Sequence, residues 1–142
     1  MSAEFCDTNV IVYAYDVSAA PKRERARAIL DRLWDSGDGV ISVQVLQELF
    51  VSLTRKIPQP LPPEDARAMV ADMASWRVVE PRSRDVVAAI DGAVRWHVSF
   101  WDAMIWNSAI RAGARTLWSE DLNDRQTYDG TTVSNPFRSP NQ

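Results

Sequence analysis

The chain has 142 residues, 46% of them hydrophobic and 25% charged, the balance of an ordinary globular domain rather than a disordered one. Its formal charge of −3 does not mark a nucleic-acid binder by bulk electrostatics, although arginine far outnumbers lysine and suits bidentate contacts to phosphate. One cysteine and one histidine exclude an internal disulfide, a Cys/His zinc site, and a nuclease that uses one histidine as base and another as acid.

Glu4 and Asp7 interrupt the start, so no signal peptide is expected there. No stretch approaches the ~20 apolar residues that cross a bilayer. A soluble cytoplasmic protein without membrane contact is expected. Residues 1–138 read as one domain and 139–142 as a polar tail.

Glu4-Phe5-Cys6 reads as a short strand that runs into Asp7, and residues 9–15 as a short helix capped by Thr8 or Asn9. Pro21 suits the first turn of a helix reaching Ser36, with Ala26, Ile29, Leu30, Leu33 and Trp34 on one buried stripe. Val40-Ile41 is a short strand. Ser42 caps a helix that turns Val43, Leu46, Leu49, Phe50 and Leu53 inward beside a polar stripe of Gln44, Glu48, Ser52 and Arg55. The proline-rich segment 56–63 ends that helix and is too short to separate two domains.

Pro63, Glu64 and Asp65 start the next helix, and 77–80 is a strand. Ser83 and Asp85 open a helix expected to bury Val86, Ile90, Ala93, Val94 and His97. Ser99 caps a last helix, apolar nearly all round, that ends at Gly113. Strand 116–119 runs into an acidic turn, Glu120 to Asp124, and 131–134 is the final strand. Short strands alternating with amphipathic helices predict a mostly parallel sheet covered on both faces.

The chemistry lies in the acids. Asp7 and Asp121 each follow a strand, which puts both at the carboxyl edge of a parallel sheet. Asp102 opens a helix and Glu48 lies one to two turns into another, and helix beginnings reach that same edge. Each also has a plain reading: Asp7 as a helix cap, Glu48 as a solvated glutamate, Asp102 as half of a capping box with Ser99, and Asp121 as a loop acid competing with Glu120 and Asp124. Carboxylates gathered without basic partners need an offsetting charge. Mg²⁺ or Mn²⁺ supplies it, and two such ions ~3.5–4 Å apart can activate water on a phosphodiester.

Phe5-Cys6-Asp7-Thr8-Asn9-Val10, Ser42-Val43-Gln44-Val45-Leu46-Gln47-Glu48-Leu49, Ser99-Phe100-Trp101-Asp102-Ala103-Met104-Ile105 and Leu117-Trp118-Ser119-Glu120-Asp121-Leu122-Asn123, in that order, resemble the PIN-domain family, and most of all its VapC-type toxins. The ending Val133-Ser134-Asn135-Pro136-Phe137 is similar too. The resemblance implies a three-layer α/β/α fold with a five-stranded sheet in order 3-2-1-4-5. It implies a Mg²⁺-dependent ribonuclease site at Asp7, Glu48, Asp102 and Asp121, with Mn²⁺ able to substitute. It also implies a homodimer, an RNA substrate and a cognate antitoxin. In the family's last motif glycine often follows the second acidic position, whereas this chain has Asp124-Arg125. Thr8 and Asp124 are candidates to support the ligands from behind.

Other readings fit less of the chain. An aspartyl-phosphate enzyme using Asp7 as nucleophile would want a second aspartate where Asn9 stands. A PIN-fold nuclease of RNA processing, a DNA-cleaving relative, and a catalytically silent dimeric binding module keep the same residues for other ends. His97 reads as a core or capping residue, and the six tryptophans as packing rather than base-stacking platforms.

Overall fold

The structure is a computed structural model that describes residues 2–138, so the tail expected at 139–142 lies outside the described residues. Six strands form one sheet in the order β3-β2-β1-β4-β6-β5. These are β1 (Glu4–Cys6), β2 (Gly39–Ser42), β3 (Arg77–Val79), β4 (Thr116–Trp118), β5 (Thr127–Tyr128) and β6 (Thr131–Ser134). All neighbours pair in parallel except β5, which runs antiparallel to β6. The five parallel strands match the expected order; the two-residue β5 is the addition. Asp129 and Gly130, with φ of 48° and 86°, make a two-residue turn that folds β5 onto β6, as an Asp-Gly pair readily does.

Helices α1 (Thr8–Tyr15), α2 (Ala20–Ser36), α3 (Val43–Val51), α4 (Pro63–Met73), α5 (Ser83–Trp96) and α6 (Phe100–Arg111) flank the sheet in a three-layer α/β/α arrangement. Phe5, Cys6, Ile41 and Leu117 are wholly buried at the sheet's centre, as strands covered on both faces require. α2 buries Ala26, Leu30 and Leu33 as expected, whereas Trp34 is 49% exposed and tilts against Trp76.

Two helices are turned differently from their apolar pattern. In α3 the buried residues are Gln44, Val45 and Leu49, while Phe50 is exposed. The Gln44 amide donates to the Trp101 carbonyl at 3.2 Å, which holds this polar side chain of α3 against the start of α6. In α5 the buried residues are Asp85, Ala89 and Gly92, and Val86, Ile90 and Val94 face outward. Gly92 lies under the Trp96 ring, where an added Cβ would stand 2.6 Å from a ring carbon.

Asp85 fastens this orientation. Its carboxylate accepts from the Arg82 amide, Asn107 Nδ2 and Arg111 Nη1 at 2.7, 3.1 and 2.7 Å, tying the start of α5 to α6. His97 ends α5 as an exposed left-handed cap, φ 56°.

α3 does not end in an ordinary turn. Ser52–Lys56 forms a wide π-type turn in which the Ile57 amide donates to the Ser52 carbonyl, five residues back. Such turns occur mostly as single interruptions of α-helices, frequently at functional sites.

Candidate active site

β1 and β4 run in register, Cys6 beside Trp118, so the chain leaves both strands side by side. The Asp7 amide donates to the Trp118 carbonyl at 2.9 Å, which sets Asp7 next to Ser119 at the sheet's carboxyl edge. A cleft of about 540 Å³ opens there. Asp7, Glu48, Asp102 and Asp121 all line it, delivered by the end of β1, by α3, by α6 and by the loop after β4. The four acids singled out in the sequence share one cleft, and none of them forms an ion pair among the described residues.

Asp7 is 6% exposed and both its oxygens are engaged. Oδ1 accepts from the Thr8 amide at 2.7 Å, so Asp7 itself is the N-cap of α1, in place of the Thr8 or Asn9 cap expected. Oδ2 accepts from Ser119 Oγ at 2.8 Å. Burial pushes the Asp7 carboxyl up to about 7 against those two bonds, and the nearby charges of Glu48 and Asp121 add to the rise.

The next two residues each secure another acid. Thr8 Oγ1 donates to Glu48 Oε1 at 2.9 Å, and Asn9 Nδ2 donates to Asp121 Oδ2 at 3.0 Å. Asn9 Oδ1 also accepts from the Glu120 amide at 3.1 Å, clamping the acidic turn from both sides. Ser119 Oγ, besides donating to Asp7, accepts from the Asp121 and Leu122 amides at 3.2 and 3.4 Å. Asn9 and Ser119 are thus site residues that reasoning from the sequence passed over. Their signal was position alone, two residues past the first acid and directly before the last acidic pair.

Ser99 caps α6 by accepting from the Asp102 amide at 3.1 Å, and no return bond from the Ser99 amide to the Asp102 carboxylate forms. The capping-box reading of Asp102 is therefore half met. Burial raises its pKa; the Ser99 hydroxyl opposes that and the Asp121 charge adds to it.

Glu120 and Asp124 do not line the cleft. Glu120 pairs with Lys22 Nζ at 2.6 Å and accepts from the Tyr13 hydroxyl at 2.8 Å. Asp124 accepts from the Asn135 amide at 2.7 Å and from Arg138 at 3.2 Å, fastening the turn that follows β6.

Among the described residues no three acidic, cysteine or histidine side chains converge closely enough, as they stand, to hold a cation. The donor set nevertheless suits one. Its carboxylate oxygens are hard ligands of the kind Mg²⁺ and Mn²⁺ take. The cost of ionising buried Asp7 beside Glu48 and Asp121 is left without a cationic partner.

A parallel α/β sheet whose carboxyl edge opens into a cleft of unpaired acids describes a class of fold and site. The profile of the PIN domain matches residues 5–129. The chain belongs to the PIN-domain family. Its fold is similar to a toxin–antitoxin complex from Klebsiella pneumoniae, with TM-score 0.73 and 14% identity over 96% of this chain and 100% of that one. It is similar to the Mycobacterium tuberculosis toxin VapC20, described as sarcin–ricin loop cleaving, with TM-score 0.62 and 20% identity over 81% and 87%. A DNA-bound VapBC from Salmonella typhimurium gives TM-score 0.64 and 19% identity over 94% and 98%. No curated protein matches the sequence significantly.

Proposed function

We propose that the protein is a metal-dependent endoribonuclease, the toxin of a toxin–antitoxin pair, which hydrolyses RNA phosphodiesters in the cleft at the sheet's carboxyl edge. The observation that carries this reading is four carboxylates without ion-pair partners, brought from four separate parts of the fold to one cleft.

Asp7, Glu48, Asp102 and Asp121 would hold Mg²⁺, or Mn²⁺ in its place. A cation held there supplies Lewis acidity towards water and towards the phosphate oxygens. The protein's own part is to keep the ligands in place. Thr8, Asn9 and Ser119 fix the oxygens of Glu48, Asp121 and Asp7 before substrate arrives, which lowers the reorganisation needed during reaction. Asp124 acts from further out, by anchoring the turn against which the acidic loop rests.

An RNA substrate and a cognate antitoxin follow by analogy with the toxin that cleaves the sarcin–ricin loop and with the toxin–antitoxin complexes. Action in the cytoplasm belongs to the same reading. No helix among the described residues is long and apolar enough to cross a membrane. The exposed apolar residues Val86, Val87, Ile90 and Val94 along α5 supply a surface for a second copy of the chain. A two-fold pair, the commonest closed assembly, would cover it on both subunits.

The test is cleavage of total cellular RNA by purified protein in Mg²⁺. Asp7→Asn, or chelation by EDTA, is expected to abolish it. Cleavage that survives both rejects the mechanism, and cleavage of DNA in preference to RNA favours the DNA-directed relative.

A further inference from the structure

The cleft wall holds a cation that the four acids do not explain. The chain has two lysines. Lys22 is committed, its ammonium 2.6 Å from Glu120. Lys56 forms no ion pair among the described residues, and it is the only lysine or arginine among the residues lining the acid cleft. It shares the cleft with five acids, Asp7, Asp16, Glu48, Asp102 and Asp121, yet pairs with none of them, so its ammonium is free to meet an anion that enters the cleft.

The backbone explains how it comes to face them. Lys56 lies eight residues after Glu48, and in a continuous α-helix eight steps would rotate it about 80° away. The π-type turn at Ser52–Lys56 spreads its bonds over five residues instead of four, so each residue advances through a smaller angle. The residues after Ser52 lag and swing back towards the Glu48 face. Gln44, Gln47, Glu48, Val51, Ser52 and Lys56 consequently share one wall of the cleft. Eight helical steps also set Lys56 about 12 Å along the axis from Glu48. That is too far to serve the bond attacked at the acids, and suited to a phosphate further along the same strand.

We propose that Lys56 binds a backbone phosphate flanking the scissile one in single-stranded RNA, and so sets the register of the substrate across the acids. The inference rests on the nuclease reading. Lys56 is a positioning residue: it touches the substrate's backbone away from the reacting atoms. The contact is to phosphate and carries no base preference of its own. One phosphate contact contributes about 0.7 to the slope of log affinity against log salt for a single strand.

The experiment measures binding of a labelled mixed-sequence single-stranded RNA to the Asp7→Asn protein at fixed Mg²⁺, from about 50 to 200 mM NaCl. Lys56→Met is expected to weaken binding several-fold at low salt and to flatten the slope by about 0.7, with Lys56→Arg restoring both. The same slope in Arg95→Met, on the exposed face of α5, gives the background. With the acids intact, Lys56→Met should raise KM while leaving kcat within about two-fold. An unchanged slope and affinity in Lys56→Met, or no rescue by arginine, overturns the role of Lys56 while the nuclease reading stands. A parent protein that neither binds nor cuts RNA overturns that reading and the Lys56 contact with it.

Discussion

Replacing Asp7 by asparagine should make the metal-free protein more stable, and only above a certain pH. Burial raises the Asp7 carboxyl to about 7, whereas an unfolded aspartate ionises near ~3.9. A group raised on folding contributes stability below its unfolded value and loses it as pH climbs through the folded one. Above neutrality the ionised Asp7 therefore costs the fold about 4 kcal/mol, a ceiling set by the two ionisation points. Asparagine escapes that cost but turns an amide donor towards Ser119 Oγ, which already accepts from the Asp121 and Leu122 amides. The mismatch costs about 1–2 kcal/mol at any pH.

The net gain of Asp7→Asn should be about zero near pH 5 and about 2–3 kcal/mol near pH 8.5, an upward shift in Tm of about 5–10 °C for a chain of this size. The assay is thermal or urea unfolding of both proteins in EDTA across that range. Saturating Mn²⁺ should stabilise the wild type at high pH and leave Asp7→Asn almost unmoved. Equal destabilisation of Asp7→Asn at pH 5 and pH 8.5 would refute the argument, because it would mean that Asp7 carries no buried-charge cost.

Three further variants probe the bonds of Asp85 and Ser119. Asp85→Ala leaves the Arg82 amide and Asn107 without this acceptor and Arg111 with only the Glu80 carbonyl, and chemical denaturation should show a loss of about 3 kcal/mol. Burial pushes the Asp85 carboxyl up, but the Arg82 amide, Asn107 and Arg111 outweigh it and hold it below the ordinary carboxylate range. Its contribution is then present above that range and lost on acidification, so Asp85→Asn should flatten the acid limb of the stability curve. Ser119→Ala removes a donor to Asp7 and the acceptor of two amides. It should cost about 2 kcal/mol and move the pH–rate profile of RNA cleavage to higher pH, since Asp7 loses a bond that favours its charged form.

How much of this could be read from the chain depended on whether the signal was local. Asp7, Ser42 and Ser99 sit where strand ends and caps require them, so the acids' shared edge followed from element order alone. The order of the five parallel strands came with the family resemblance. The buried face of α5 was not legible, because its most apolar stripe points outward. What fixes the helix is Asp85, bonded to residues of α6 that sequence distance conceals. The roles of Asn9 and Ser119 were hidden for the same reason: each acts on an acid across the β1–β4 pairing. β5 was missed although Asp129-Gly130 is a recognised hairpin signal, because two residues carry no alternation to detect. The turn at Ser52–Lys56 has no composition of its own. Its Arg55-Lys56-Ile57-Pro58 ending reads simply as the close of a helix, not as a change of phase.

The Asn9–Asp121 bond joins residues 112 positions apart, and β1 has no neighbour on one side until β4 exists. At ~5–20 residues per second, a ribosome takes on the order of 10 s to pass from one to the other. Throughout that interval the first acid of the site is exposed to the cell without the last. A chain released early, anywhere before the acidic turn, would fold no complete cleft. For a protein proposed to destroy RNA, the long span means that no product can act until the acidic turn has been translated.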